Sequence, residues 1–195
     1  MSKVTIQPGD ALLVIDLQND FLPGGALAVP RSDEILPVVR RYLARFLAVP
    51  APVFATRDWH PRDHCSFRPF GGPWPVHCVA GTKGADAPES LAIPSSVVIV
   101  HKATRRSPDA YSGFQDTRLD TQLRAVGARR LFVGGLATDY CVLQTVRDAF
   151  SRGYSVVLLR DACRAVDLAA GDGRAAEEAM IQLGVTPIQL EDLSP

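Results

Sequence analysis

In the stretch GGLATDYCVLQTVRDAF, residues 134–150, a cysteine falls where an apolar run gives way to a helical pattern. Thr138 or Asp139 can cap that helix, which puts Cys141 in its first turn, where unpaired N–H groups and the positive end of the helix dipole stabilise an anion. A thiol so placed is a candidate nucleophile if a base takes its proton and a cation favours the thiolate. Asp16, after the run ALLVI, and Lys102, after SVVIV, supply those two groups, and no histidine is required. A second set lies in DWHPRDH and WPVHC: Asp58, His60, His64 and His77 are carboxylate and imidazole donors that suit zinc, iron or manganese. Three such ligands leave coordination positions open, and Cys65 and Cys78 stand near enough in sequence to replace an imidazole.

Each of these residues has an ordinary reading when taken alone. Asp16 is a common turn residue, Lys102 a solvated lysine, and each loop histidine a polar surface group. Cys163, with Cys65 and Cys78, reads as an inert buried thiol. Their shared position along the chain is what gives them weight. Apolar runs of strand length occur at 11–15, 52–56, 96–100, 131–135, 155–159 and 185–190, several reading as strands buried on both faces. Helical patterns lie between them: Ile35 to Phe46, Leu119 to Val126, the helix after Cys141, and Ala175 to Leu183. Alternation of this kind predicts right-handed crossovers and a mostly parallel sheet covered by helices on both sides.

In such a sheet the ligand crevice lies beyond the carboxyl ends of the strands. The residues read there are Asp16, Asp58 with His60, His101 with Lys102, Cys141, and Asp161, the last as a cap or turn residue. One segment breaks the alternation. Between residues 57 and 93, Gly, Pro, His, Trp and Cys accumulate without a period, while Trp59, Phe67, Phe70 and Trp74 argue against disorder. A bound metal would organise such a loop.

Composition narrows the class. The 195 residues are 47% hydrophobic and 22% charged, which suits one domain over 1–195 with a sizeable core. Twenty-one Lys and Arg balance twenty-one Asp and Glu, and the Arg pairs beginning at 40, 105 and 129 are scattered, so no stripe for nucleic acid is present. No run approaches the ~20 apolar residues of a membrane span. Four cysteines are expected as free thiols in a reducing, cytoplasmic setting.

Five ordered motifs then carry a resemblance that covers essentially the whole chain: LLVIDLQNDFLPGGALAV (12–29), TRDWHPRDHCSF (56–67), WPVHCVAGTKGA (74–85), VHKATRRSPDAYSGF (100–114) and VGGLATDYCV (133–142). The chain resembles the nicotinamidases and pyrazinamidases of the isochorismatase-like cysteine hydrolase family. That resemblance implies a three-layer αβα fold with a mostly parallel sheet of about six strands and a metal-binding loop inserted at about 57–93. It implies Asp16 as base, Lys102 as its cationic partner and Cys141 as nucleophile. It implies Asp58, His60 and His77 as ligands of one divalent ion, zinc ahead of iron or manganese, with His64 either a fourth ligand or a neighbour. It further implies a cis peptide between Leu136 and Ala137, an oxyanion hole of the Ala137 and Cys141 N–H groups, and a pocket of Phe21, Trp74, Leu136 and Tyr111.

The activity implied is hydrolysis of nicotinamide, and of pyrazinamide, through a Cys141 thioester, in NAD salvage. The expected partner is a small aromatic amide, with neither nucleic acid nor membrane; association of copies is left open, since relatives differ. Two rivals within the family are weaker on the residues. Carbamoyl amidohydrolases share the triad without the metal loop, and isochorismatase-type vinyl-ether hydrolases lack the catalytic cysteine. A silent metal-binding or redox-sensing paralogue is the alternative outside enzymes.

Overall fold

The six apolar runs form six strands: β1 (Asp10–Ile15), β2 (Val53–Asp58), β3 (Val98–Lys102), β4 (Arg130–Leu136), β5 (Ser155–Arg164) and β6 (Thr186–Ile188). These come from a computed structural model that describes residues 3–194; residues 1, 2 and 195 of the expected domain lie outside the described residues. All neighbouring strands are parallel, in the order β3-β2-β1-β4-β5-β6. β1 is buried at every position and β4 at all but its first, because helices cover both faces of the sheet.

Helix α1 (Leu36–Leu47) turns Val39, Tyr42, Leu43 and Phe46 inward and Arg40 and Arg41 outward, and packs with Leu12, Val14, Phe132 and Val157 on one face. On the other face α2 (Leu119–Ala125), α3 (Leu143–Ser151) and α4 (Asp172–Gln182) cover Leu13, Ile15, Leu131 and Val133. The expected three layers and six-stranded parallel sheet are present.

The strand order reverses between β1 and β4, the position at which an open α/β sheet leaves a crevice. Gly135 makes that junction close. Its φ is +131°, and a Cβ there would stand 2.1 Å from the Ile15 carbonyl oxygen, so only glycine lets β4 press against β1 at the crevice. The pairing of β4 with β5 shifts register between Val133 and Gly135 at the same place.

Several boundaries differ from expectation. β5 runs past its apolar run to Arg164, so Asp161 lies within the strand rather than after it. There it accepts hydrogen bonds from the Tyr42 hydroxyl at 2.9 Å and the Leu190 N–H at 2.9 Å, which ties α1 to the chain end. Asp58 and Lys102 are the last residues of β2 and β3, not the first beyond them, and they stand opposite each other in register. The 57–93 segment is built of short 3-10 turns at Arg68–Phe70, Lys83–Ala85 and Glu89–Leu91, with bridges His60 to Val79 and Phe67 to Trp74.

Candidate active site

Asp16 leaves β1 in a left-handed conformation, φ 47°, which aims its carboxylate across the strand ends. Its N–H donates to the Thr56 carbonyl at 3.2 Å, and the Thr56 hydroxyl donates to Oδ1 at 2.7 Å. Oδ2 faces the Lys102 Nζ at 3.0 Å, outside hydrogen-bond geometry and with no other partner. Lys102 Nζ donates to Asp58 Oδ1, to the Ala110 carbonyl at 3.1 Å and toward Cys141 Sγ at 3.5 Å. One buried ammonium therefore touches two carboxylates and the thiol, which come from the ends of β1, β2, β3 and β4.

Burial alone would strip the proton from Lys102, but Asp16 and Asp58 outweigh it and hold the ammonium well above its ordinary range. Burial also pushes Asp58 up, and Lys102 and then His60 pull it below the usual carboxylate range. Asp16 is raised by its complete burial, against the opposing pull of Lys102. The Cys141 thiol is pushed well above its ordinary value by burial, with Lys102 pulling the other way. A helix start alone thus does not leave a resting thiolate here. The thiol keeps its proton beside a carboxylate whose basicity is raised to receive it.

The turn that carries Cys141 also departs from expectation. Neither Thr138 nor Asp139 caps the helix: Ala137 is the extended residue before it, and Thr138–Val142 forms a π-helical turn leading into α3. The Tyr140 and Val142 N–H groups both donate to the Ala137 carbonyl at 3.1 Å. Outside helices and strands, the Ala137 N–H makes no backbone hydrogen bond among the described residues. The Leu136–Ala137 peptide is cis. The Asp139 carboxylate accepts instead from the Val166 and Asp167 N–H groups at 3.0 and 2.9 Å, so it fastens the loop after β5 to the cysteine turn.

Asp58, His60 and His77 bring one ligand atom each to within 4.8 Å of one another, all three buried. His60 Nδ1 lies 3.3 Å from the Ala103 carbonyl, which leaves Nε2 buried without a hydrogen-bond partner. His77 Nδ1 pairs with the Pro75 carbonyl at 2.8 Å, again freeing Nε2. Burial lowers the pKa of His77, so that its ring is neutral near pH 7 and able to ligate. A buried imidazole nitrogen with no partner, a carboxylate and a second oriented imidazole fit one divalent ion, and the donor types admit several.

His64 is stacked on His60 at 4.1 Å but stands outside that trio; its Nδ1 bonds the Ser66 hydroxyl at 2.7 Å and its Nε2 is unpartnered. Burial, reinforced by His60, lowers it to about 4. Cys65 and Cys78 are free thiols apart from the trio, Cys65 partly exposed and Cys78 buried. Cys163 is free and buried, with its thiol pushed up to about 12 by burial. His101 stacks on Trp59 at 4.4 Å on the outer edge of the sheet.

A cavity of about 50 Å³ joins the two groups. Phe21, Trp74, Tyr111, Leu136 and Ala137 line it, together with Asp58, His60, His77 and Cys141. The Trp74 indole N–H donates to the Tyr111 hydroxyl at 2.9 Å, which fixes one wall. Sequence reasoning missed Tyr140, Asp109 and Val166 in this lining. Tyr140 directly precedes the candidate nucleophile, and that adjacency was the available signal; Val166, in the stretch AVDLAAG at 165–171, carries none.

Residues 10–192 match the model of the Isochorismatase domain. The chain is 39% identical to a nicotinamidase of Escherichia coli K12, over 95% of this chain and 97% of that protein. It superposes with a TM-score of 0.90 on a pyrazinamidase of Pyrococcus horikoshii in complex with zinc, at 45% identity over 94% of this chain and all of that one. A second solved structure, PnC1 of L. infantum in complex with nicotinate, gives a TM-score of 0.91 at 36% identity over 98% of each chain.

Proposed function

The chain belongs to the isochorismatase-domain family, and from that premise we propose that it hydrolyses nicotinamide to nicotinate and ammonia, and pyrazinamide by the same chemistry. The observation that carries this reading is the buried Lys102 ammonium touching Asp16, Asp58 and the Cys141 thiol, the last two of which line a small, aromatic-walled cavity. An aromatic carboxamide would place its ring among Phe21, Trp74 and Tyr111 and its carbonyl over the thiol.

In the first half of the reaction the Cys141 proton passes to Asp16 as sulfur attacks the amide carbon. The carbonyl oxygen becomes an oxyanion facing the Ala137 and Cys141 N–H groups; losing one such donor typically costs about 3–4 kcal/mol of barrier. Asp16 then returns the proton to the departing nitrogen, the C–N bond breaks and ammonia leaves a thioester on Cys141. In the second half Asp16 takes a proton from water as its oxygen attacks the thioester, the C–S bond breaks, and the thiol is restored. Shuttling of this kind commonly contributes roughly 10²–10⁴-fold.

Asp58, His60 and His77 would hold the divalent ion, zinc ahead of iron or manganese, which when bound supplies a Lewis-acidic grip on the substrate ring nitrogen. His64, stacked on His60, is its neighbour or fourth ligand. One domain carries every residue of the site, so association between copies is not required. Four free thiols fit a reducing cytosol, and hydrolysis of nicotinamide would place the protein in NAD salvage. The test is ammonia release from nicotinamide by purified protein, before and after chelation, with Cys141→Ala as control. Release that requires both thiol and metal is expected; a metal-loaded protein that releases none would overturn the reading.

A further inference from the structure

Gln18 is wholly buried, two residues beyond Asp16, and takes no part in the chemistry above. Its carboxamide is nevertheless fully engaged. Oε1 accepts the Asp58 N–H at 2.8 Å, and Nε2 donates to the Asp58 carbonyl at 2.8 Å and to the Ala85 carbonyl at 2.9 Å. Both backbone groups of Asp58 that face β1 are thereby held by one side chain.

The reason lies in the stagger of the two strands. β2 continues to Asp58, but β1 ends at Ile15, and beyond it Asp16 turns away with φ 47°. A carboxamide offers the donor and acceptor of a peptide unit, so Gln18 extends β1 beside β2 for one more step. Without it the Asp58 N–H and carbonyl would be buried and unpaired. Asp58 is the ligand whose other oxygen bonds Lys102, so it has no freedom to find a new position.

We infer that Gln18 is a positioning residue for the metal group, setting Asp58 at the distance from His60 and His77 that a single ion requires. This rests on the reading of those three residues as metal ligands. The adjacent Asn19 is the natural control. Its amide donates to the Lys83 carbonyl at 2.8 Å, in the same cluster of loop ties, without touching Asp58.

The experiment is titration of metal-free protein with cobalt(II) alone, followed by the visible absorption of the bound ion. Wild type and Asn19→Ala should bind one equivalent with similar affinity. Gln18→Ala should bind roughly 10–100-fold more weakly, the usual scale for losing a group that orients a metal ligand, and should regain turnover as metal is raised. Gln18→Glu provides a near-isosteric second variant that keeps an acceptor for the Asp58 N–H but turns a carboxylate toward two carbonyls; weakened binding is expected again, even where the alanine variant does not fold. Gln18 variants that bind cobalt within about twofold of wild type would overturn the inference while leaving the metal reading standing. A wild-type protein that takes up no cobalt would overturn the metal reading itself, and this inference with it.

Discussion

The two halves of the site are held in different ways. Asp16, Lys102 and Cys141 stand at or just beyond the ends of β1, β3 and β4, where strand register places them: Asp58 faces Lys102 across β2 and β3, and Ile15 faces Gly135 across β1 and β4. His60 and His77 belong to a segment with no regular element longer than one turn. The backbone around them is tied by side chains reaching out of the β1–α1 connection: Gln18 to Asp58 and Ala85, and Asp20 to the Cys78 N–H at 2.7 Å. A sheet can place a nucleophile and base with few dedicated contacts. A ligand set in a loop needs its own scaffold, here supplied by Gln18 and Asp20. Asp58 belongs to both halves, since one oxygen pairs with Lys102 and the other lies 3.7 Å from His60 Nε2.

If the halves are separable, Cys141→Ala will abolish turnover, by at least about 10⁴-fold, and leave cobalt or zinc affinity unchanged. Steady-state ammonia release with metal titration checks both; a variant that kept turnover would remove the nucleophile from the account. Asp58→Asn should break both halves together. It weakens metal binding by roughly 10–100-fold or more, and leaves Lys102 with a single carboxylate at a cost of about 3 kcal/mol of stability. Metal titration and chemical denaturation would read the two losses, and a variant that lost metal at wild-type stability would show that Asp58 belongs to one half only. His60→Ala should be confined to the other side, with metal lost and KM raised, while denaturation midpoints of the metal-free proteins stay closer to wild type than for Asp58→Asn.

The same division decides what was legible in the sequence. The triad could be read because a parallel sheet concentrates chemistry at strand ends, and apolar runs mark those ends to within a residue or two. The metal donors were legible as residue types, but a loop without a period does not say which donors meet. Only the fold brings Asp58, His60 and His77 together and leaves His64, Cys65 and Cys78 apart. Asp139 was misread as a cap because an aspartate before a helix looks the same whether it bonds its own first turn or the N–H groups of Val166 and Asp167. Asp161 was misread because β5 continues through RDACR, where the polar and partly exposed Arg160 and Asp161 interrupt the continuous apolar run. The upward shift of the Cys141 thiol was not legible at all, since helix position argues for a thiolate while burial, and after it Asp16 and Asp58, push the other way. Gln18 needed the stagger of β2 past the end of β1.

The smallest expected effect lies outside both halves and sharpens the contrast by leaving each intact. Glu34, on the exposed turn that follows the Phe21 wall, bonds Arg31 and also Arg164 at the end of β5. The hydrogen bonds from Arg31 and then Arg164 lower its pKa from 4.5 to about 2. A carboxylate depressed on folding contributes stability that is complete above its unfolded value and lost as pH falls through its folded one. The contribution is therefore present above pH 4.5 and declines toward pH 2. Because the pair is open to solvent, Glu34→Gln should lower Tm by no more than a few degrees at pH 7. The two proteins should converge as pH falls from 4.5 toward 2, with kcat and metal affinity at pH 7 unchanged. Thermal melts across that range check the sign. A gap that widened in acid would place the ion pair in the unfolded chain, and a change in metal affinity would mean that this surface tie reaches the loop scaffold after all.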